Sequence, residues 1–446
     1  MITLILSDLR ANARVWVGIL LVAAAAGFAA SIGAGLLETA NAYEAPTRKA
    51  LQNASSPVLI FSGFTALVVL SSTANLTVSL QRRSYALWQI FNVRPILVAL
   101  IVELQLAIVS ALGAIIGAML SAVAFRRLFE FLFASWNFST PVEPHTNIST
   151  LIAVILAIIA VVVTAGLRGA RNAAITSPLQ ALTEPEPPKI RMTWIRYLLT
   201  ALAVAATYGL VSMMVDGDVQ TVTSTSILIA PAIVMIMAAA GPLLLPLTLR
   251  AWTWIVPARI STSWYLARHA ARYRVTQSTA TISPLVVGIG LAGGIYTCVE
   301  ILAEYVRQQS GDASGYVLEP GQAVQLLGGP LLIAGIGAAA TVFMSGGARQ
   351  REIALLQAAG STQRQIAVSS ILEAVIYTLT AMLLAFIAVV TTAFIVSSSL
   401  GMSLTGIHYL SILIVTALGF VLILTASLGP TIAALRRDVT RTLAGV

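Results

Sequence analysis

Two glutamates, Glu103 and Glu373, fall inside long apolar runs, each about two helical turns from the basic end of its run. An ionised carboxylate in hydrocarbon is costly unless paired or wetted, so such residues are read as functional by default. Two chemistries stay open. Each glutamate serves proton relay or cation binding, or it pairs with a nearby basic or polar group and locks neighbouring helices together. Other chemistry is sparse. His145, His269 and His408 fall in separate connections, which argues against a histidine metal site or triad. No G-x-x-x-x-G-K-[ST] occurs, and neither Lys49 nor Lys189 follows a glycine-rich loop, so the sequence offers no Walker-type phosphate cradle. The single cysteine, Cys298, lies in an apolar run and reads as a small buried hydrophobe, with no disulfide or thiolate cluster available to it. The expectation is a non-catalytic chain that binds no cofactor or metal.

The elements that position these residues follow from composition. Of 446 residues 58% are hydrophobic and 10% charged, against a charged share of about a quarter in soluble domains, so the bilayer is the solvent. A span needs about 20 helical residues, and its backbone must be satisfied internally. Ten runs qualify: Val15 to Leu37, Pro57 to Leu80, Ile96 to Ala124, Ile148 to Leu167, Trp194 to Val215, Thr223 to Leu249, Ala280 to Ala303, Leu326 to Gly346, Ile366 to Ser398 and Tyr409 to Ala433. The first is too long for a signal-peptide core of about 7 to 15 residues and reads as retained. With Met1 in the cytoplasm, 21 of the 26 basic residues fall on the cytoplasmic side and both termini lie inside. This asymmetry accounts for the net charge of +9 without nucleic acid. The outer connections, about 23 residues at most, are too short to fold as domains. Phe125 to Trp136 reads as an interfacial anchor.

The chain repeats itself. Arg83 pairs with Arg351, Ala86 with Ala354, Leu87 with Leu355 and Gln89 with Gln357; after a two-residue gap, Arg94 pairs with Arg364, Ile96 with Ile366 and Glu103 with Glu373. Leu6 and Arg14 align with Leu266 and Arg274, and Pro178 to Leu182 with Val439 to Leu443. The expected architecture is all-α: ten transmembrane helices in two parallel four-helix repeats, residues 1–193 and 250–446, joined by a transmembrane hairpin over 194–249. Same-sense repeats imply a pseudo-twofold axis along the membrane normal.

The segment Gly347 to Gln365 has its own reading. Arg351 and Leu355 share one helical face, with Glu352 and Gln357 on a more polar side. Gly360 can supply a left-handed stop, and Thr362 with Gln365 has capping-box spacing, so a new helix starts there. A short amphipathic helix joined to a long span can transmit a push; the alternative is an interfacial helix lying on anionic lipid.

R-E-I-A-L-L-Q-A-A-G at Arg351 to Gly360, followed by S-T-Q-R-Q-I and by Glu373 nine residues after Arg364, closely resembles the signature of FtsX-like, or MacB-type, ABC transporter permeases. L-A-R-H-A-A-R at Leu266 to Arg272 resembles that family's basic amphipathic helix before a repeat. The resemblance implies a permease subunit in the cytoplasmic membrane, with two ATPase subunits on separate chains holding ATP and Mg. Arg351, Glu352, Leu355, Gln357, Gly360 and Arg364 would form the coupling segment that docks on the ATPase, with Arg83, Gln89 and Arg94 as its counterpart. Two departures stand out. No large extracytoplasmic domain follows a first span, and Ser84 and Asn92 replace Glu352 and Gly360 in the first copy.

Ten acids face five bases on the outer side, Glu300 and Glu304 among them. They form an acidic vestibule for cationic amphiphiles, or they simply reflect depletion of basic residues outside. The expected function is ATP-driven export or extraction of an amphipathic drug, antimicrobial peptide or lipid by mechanotransmission, with membrane lipids and an extracellular substrate or accessory protein as further partners. The alternatives are a non-transporting FtsX-like signal transducer and a secondary transporter.

Overall fold

A backbone that must satisfy its own hydrogen bonds in an apolar solvent becomes helix, and among the described residues there are helices and no strands. The computed structural model describes residues 7–10, 12–44, 46–90, 93–134, 136, 142–175, 194–215, 219–310, 318–403 and 406–435. Leu6, Asn92, Asp216, Asp218, Asp312 and the closing segments 178–182 and 439–443 lie outside them. The helices are α1 (Ala13–Asn41), α2 (Thr47–Leu80), α3 (Arg82–Ile90), α4 (Pro95–Leu132), α5 (Ile148–Ile175), α6 (Trp194–Val215), α7 (Val219–Ala239), α8 (Gly241–Ile255), α9 (Thr262–Tyr273), α10 (Val275–Ser310), α11 (Pro320–Ala358), α12 (Gln363–Ser399) and α13 (Tyr409–Leu435). Among the described residues nine helices are individually long and apolar enough to cross a membrane, and Ser224–Ala239 with Gly241–Ile255 makes a tenth candidate as a bent pair. The chain is a multi-pass membrane protein.

Three readings change. The run Thr223 to Leu249 is not one straight span, because the chain turns by 80° between α7 and α8. The G-P at Gly241 and Pro242 explains the turn, since proline opens a helix readily but cannot continue one. Next, Gly347 to Ala358 is no separate helix: α11 runs unbroken through it. Finally, Phe125, Phe129 and Phe133 are at most 5% exposed, so this aromatic row packs against α1 and α2 through Leu36 and Leu51, and Phe131 alone of the four stays exposed.

Neighbour relations recur between two sets of helices. α1 packs on α2, α4 and α5, while α2 and α4 both pack on α5; α10 packs on α11, α12 and α13, while α11 and α12 both pack on α13. Where lipid surrounds the bundle, helix contact relies on close approach of small residues. On α4, Gly113 and Gly117 press against the α1 backbone at Leu20 and Ala24. On the α10–α12 side the small residue is on α10, where a Cβ on Gly293 would lie 2.8 Å from Val389.

The sets meet along α1, α2, α10 and α11. Down this seam Gln325 Nε2 donates to the Ala54 carbonyl at 2.9 Å, Gly329 abuts Ser62, Gly337 abuts Val69 and Gly18 abuts Met344. These contacts put α2 and α11 side by side in the same direction, with α1 antiparallel to both. The α6–α7 pair leans on α10 and α12 instead.

Candidate coupling site

The candidate site gathers where α2 and α11 end. α11 closes in a Schellman motif: the Ser361 amide donates to the Leu356 carbonyl at 2.9 Å and the Gly360 amide to the Gln357 carbonyl at 3.0 Å. Gly360 has φ of 91°, a conformation in which a Cβ is strained. The chain restarts at once, because Thr362 and Gln365 form a reciprocal capping box at the start of α12. Ile353 and Ala354 are buried, and Ile353 packs with Ile366, Leu356 and Leu435. Leu355 is 55% exposed and points away from the bundle.

Charge holds this turn. Arg274, between α9 and α10, pairs with Glu352. Glu373 is buried on α12 and accepts from the Tyr377 hydroxyl at 2.6 Å, which in turn lies 3.4 Å from Ser278 Oγ of α10. Burial works against the Arg274 charge, but the fields of Glu373 and Glu352 outweigh it and raise its guanidinium above the ordinary value. One arginine thus stands between two carboxylates on either side of the Gly360 turn. Around them Tyr273, Leu356 and Ile366 help line a cleft of about 320 Å³.

The turn after α2 is assembled differently. α2 stops at Leu80 and α3 is a short separate helix. α4 then begins with Arg94 at its N-cap and Pro95 in its first turn. Tyr85 is fully buried, donates its hydroxyl to Gln81 and meets Trp88 edge to face at 5.4 Å. Leu87, the partner of Leu355 in the repeat, is 41% exposed, and both members of the pair Ala86 and Ala354 are buried. Glu103 is not in the position of Glu373: neither carboxylate oxygen has a hydrogen-bond partner among the described residues, and both crowd Gly166 of α5. Arg14 does not take the role of Arg274 either, since it reaches across the seam to the Phe343 ring, 5.9 Å from its centroid. Asp8 accepts from Asn12 Nδ2 and Gln105 Nε2, each at 3.0 Å. Burial outweighs these bonds and raises the Asp8 carboxyl.

Of the remaining sequence candidates, Gln89 and Gln357 are half-buried, Arg94 and Arg364 are exposed, and Arg83 and Arg351 lie on α3 and α11 with side chains outside the described set. At the opposite end, Glu300 is exposed, while Glu304 pairs with Arg307 at 2.5 Å and accepts from Gln308 at 3.1 Å. Sequence reasoning missed Tyr85, Tyr377 and Asp8. The i, i+4 spacing of Glu373 to Tyr377 and of Asp8 to Asn12 was the available signal.

No curated protein matches the chain. Residues 326–439, which take in most of α11, the Gly360 turn and all of α12 and α13, match the family described as FtsX-like permease C-terminal, and the chain is similar to that family over this stretch.

Proposed function

We propose that the chain is the membrane permease subunit of an ABC-type transporter, in the ten-span, two-repeat MacB-type form, with ATP hydrolysed by a separate partner. The carrying observation is that α11 passes without interruption from the seam into the segment that presents Leu355, and ends in a Gly360 turn near which Glu352 pairs with Arg274 of the α9–α10 junction. A rigid extension of a span with an exposed apolar tip suits docking on a mobile partner, and Leu87 on α3 offers a second tip. In this reading the turns face the cytoplasm and two ATPase subunits engage them. ATP binding draws the tips together, and α1, α2, α10 and α11 tilt as rigid bodies. Close packing along the seam favours mechanical transmission over conduction between the halves.

The test is affinity purification of the full chain from native membranes, where an ABC ATPase co-purifies. In nanodiscs, Arg351→Glu and Gly360→Pro abolish substrate-stimulated ATP hydrolysis while membrane insertion is kept. Normal stimulation in both variants would sink the coupling assignment. ATP-dependent flux of an amphipathic substrate separates transport from signalling.

A further inference from the structure

The 80° turn before α8 lays α8 and α9 across the same end of the bundle as the Gly360 turn, where Ser263 Oγ of α9 donates to the Gln365 carbonyl at 3.2 Å. From Gly241 to Tyr273 the chain carries four arginines, Arg250, Arg259, Arg268 and Arg272, and no aspartate or glutamate. Three of them converge. Arg272 reaches from α9 to α8, donating from Nε and Nη2 to Thr253 Oγ1 at 3.1 and 2.8 Å and from Nη2 to the Arg250 carbonyl at 3.0 Å. Arg268 is 8% exposed; its Nη1 donates to the Val256 carbonyl at 3.4 Å, and its buried Nε has no partner among the described residues. Burial, followed by the like charges of Arg268 and Arg250, lowers the Arg272 guanidinium from its ordinary value.

None of Arg250, Arg268 and Arg272 has a carboxylate within ion-pair distance among the described residues. A basic residue that only sets topology can stay in water, as exposed Arg259 does. Arg268 and Arg272, turned onto neutral oxygens with the exposed Arg250 nearby, are like charges with a different physical requirement, an anion. A second observation identifies its kind. The face of α8 that carries Arg250 is otherwise apolar and open, with Leu243, Leu247 and Trp254 each at least 59% exposed. Trp254, Ile255 and Ile260 are each at least 67% exposed on the same elbow, as residues seated in an interface are. Cations beside an exposed apolar helix face complement a molecule with a phosphate at one end and a hydrocarbon chain at the other.

We propose that the α8–α9 elbow is a binding site for an anionic phospholipid, with the headgroup phosphate on Arg250 and Arg272, Arg268 behind them, and an acyl chain along the exposed face of α8 at Leu243 and Leu247. Because α9 touches the start of α12, the bound lipid braces the turn at Gly360.

The test uses the purified full chain and native mass spectrometry after exchange with phosphatidylglycerol or phosphatidylcholine. The wild type retains phosphatidylglycerol in preference to phosphatidylcholine. The double variant Arg250→Ala with Arg272→Ala loses that preference by on the order of tenfold, and Arg259→Ala keeps it. Equal retention of the two lipids, or an unchanged preference in the double variant, overturns the proposal. Displacement by millimolar inorganic phosphate also overturns it, because the site would then recognise a free anion. Arg272 bridges two helices, so Arg250→Glu, at an exposed position, repeats the measurement without disturbing that bridge. Lipid retention is read without an ATPase, so this result stands apart from that of the coupling experiments.

Discussion

The turn after α2 is held by an aromatic plug, and the turn after α11 is held by charge. Both present an exposed leucine beside a buried alanine, Leu87 with Ala86 and Leu355 with Ala354. Behind the first, Tyr85 and Trp88 pack edge to face. Behind the second, Arg274 stands between Glu352 and Glu373. The first turn belongs to a short helix separate from its span, and the second is a direct continuation of its span. The difference teaches that a repeated surface can be kept while its anchoring diverges, with one cation facing two carboxylates at the α11 turn. Arg274 pairs with Glu352 and lies in the field of Glu373, whereas the buried Tyr85 is fixed by packing and its bond to Gln81.

The largest effect that would break this contrast is at the two aligned arginines. Arg274→Ala unpairs Glu352 and strips buried Glu373 of a neighbouring cation, at a cost of about 2 kcal/mol once the partial exposure of Glu352 is allowed for. Arg14→Ala removes a cation–π contact of about 0.5 to 1 kcal/mol. Thermal unfolding in detergent, followed by tryptophan fluorescence, ranks the two; equal losses would erase the contrast. Tyr85→Phe comes next. It leaves the ring in place and removes the bond to Gln81, with an expected loss of about 1 kcal/mol in the same assay. Burial and the nearby Asp8 raise the Tyr85 phenol, so it remains a donor at any working pH.

Glu103 sharpens the comparison from the other side. Since its carboxylate has no partner among the described residues, Glu103→Gln is neutral or stabilises by up to about 1 kcal/mol, while Glu373→Gln weakens the bond from Tyr377 and destabilises. The smallest effect is a pH term at Asp8. Its carboxyl is raised from the ordinary 3.8 in the folded chain, so the folded state holds the proton more tightly than the unfolded one. Stability from this group is therefore full below 3.8 and falls as the pH rises through the folded value. Asp8→Asn removes that slope, which melting curves from pH 4 to 7 would register.

Local signals in the sequence carried far. Gly360 and the Thr362–Gln365 box were readable because caps are decided within a few residues, and both are present. The spans were readable because hydrocarbon imposes length and apolarity. The break at Ala240 was also written locally, in Gly241 and Pro242, but the apolar run around it hid it. What was not legible is long-range. Arg274 and Glu352 are 78 residues apart, and nothing in the spacing of either names the other. The alignment of Glu103 with Glu373 implied a shared environment, yet environment depends on neighbours: Tyr377 has no aromatic counterpart four residues after Glu103, where Ala107 stands.

Pro330 lies inside α11, where it has no amide to give to the preceding turn, and divides the helix into a long and a short arm. At 1.5 Å per residue the arm from Pro330 to Ala358 is about 42 Å and the arm to Pro320 about 15 Å. A tilt of about 5° would sweep the long arm through roughly 4 Å and the short arm through little more than 1 Å in the opposite sense. Under the proposed coupling function, a rigid swing of α11 about this point is geared down nearly threefold, trading travel at Leu355 for force at the far end of the helix.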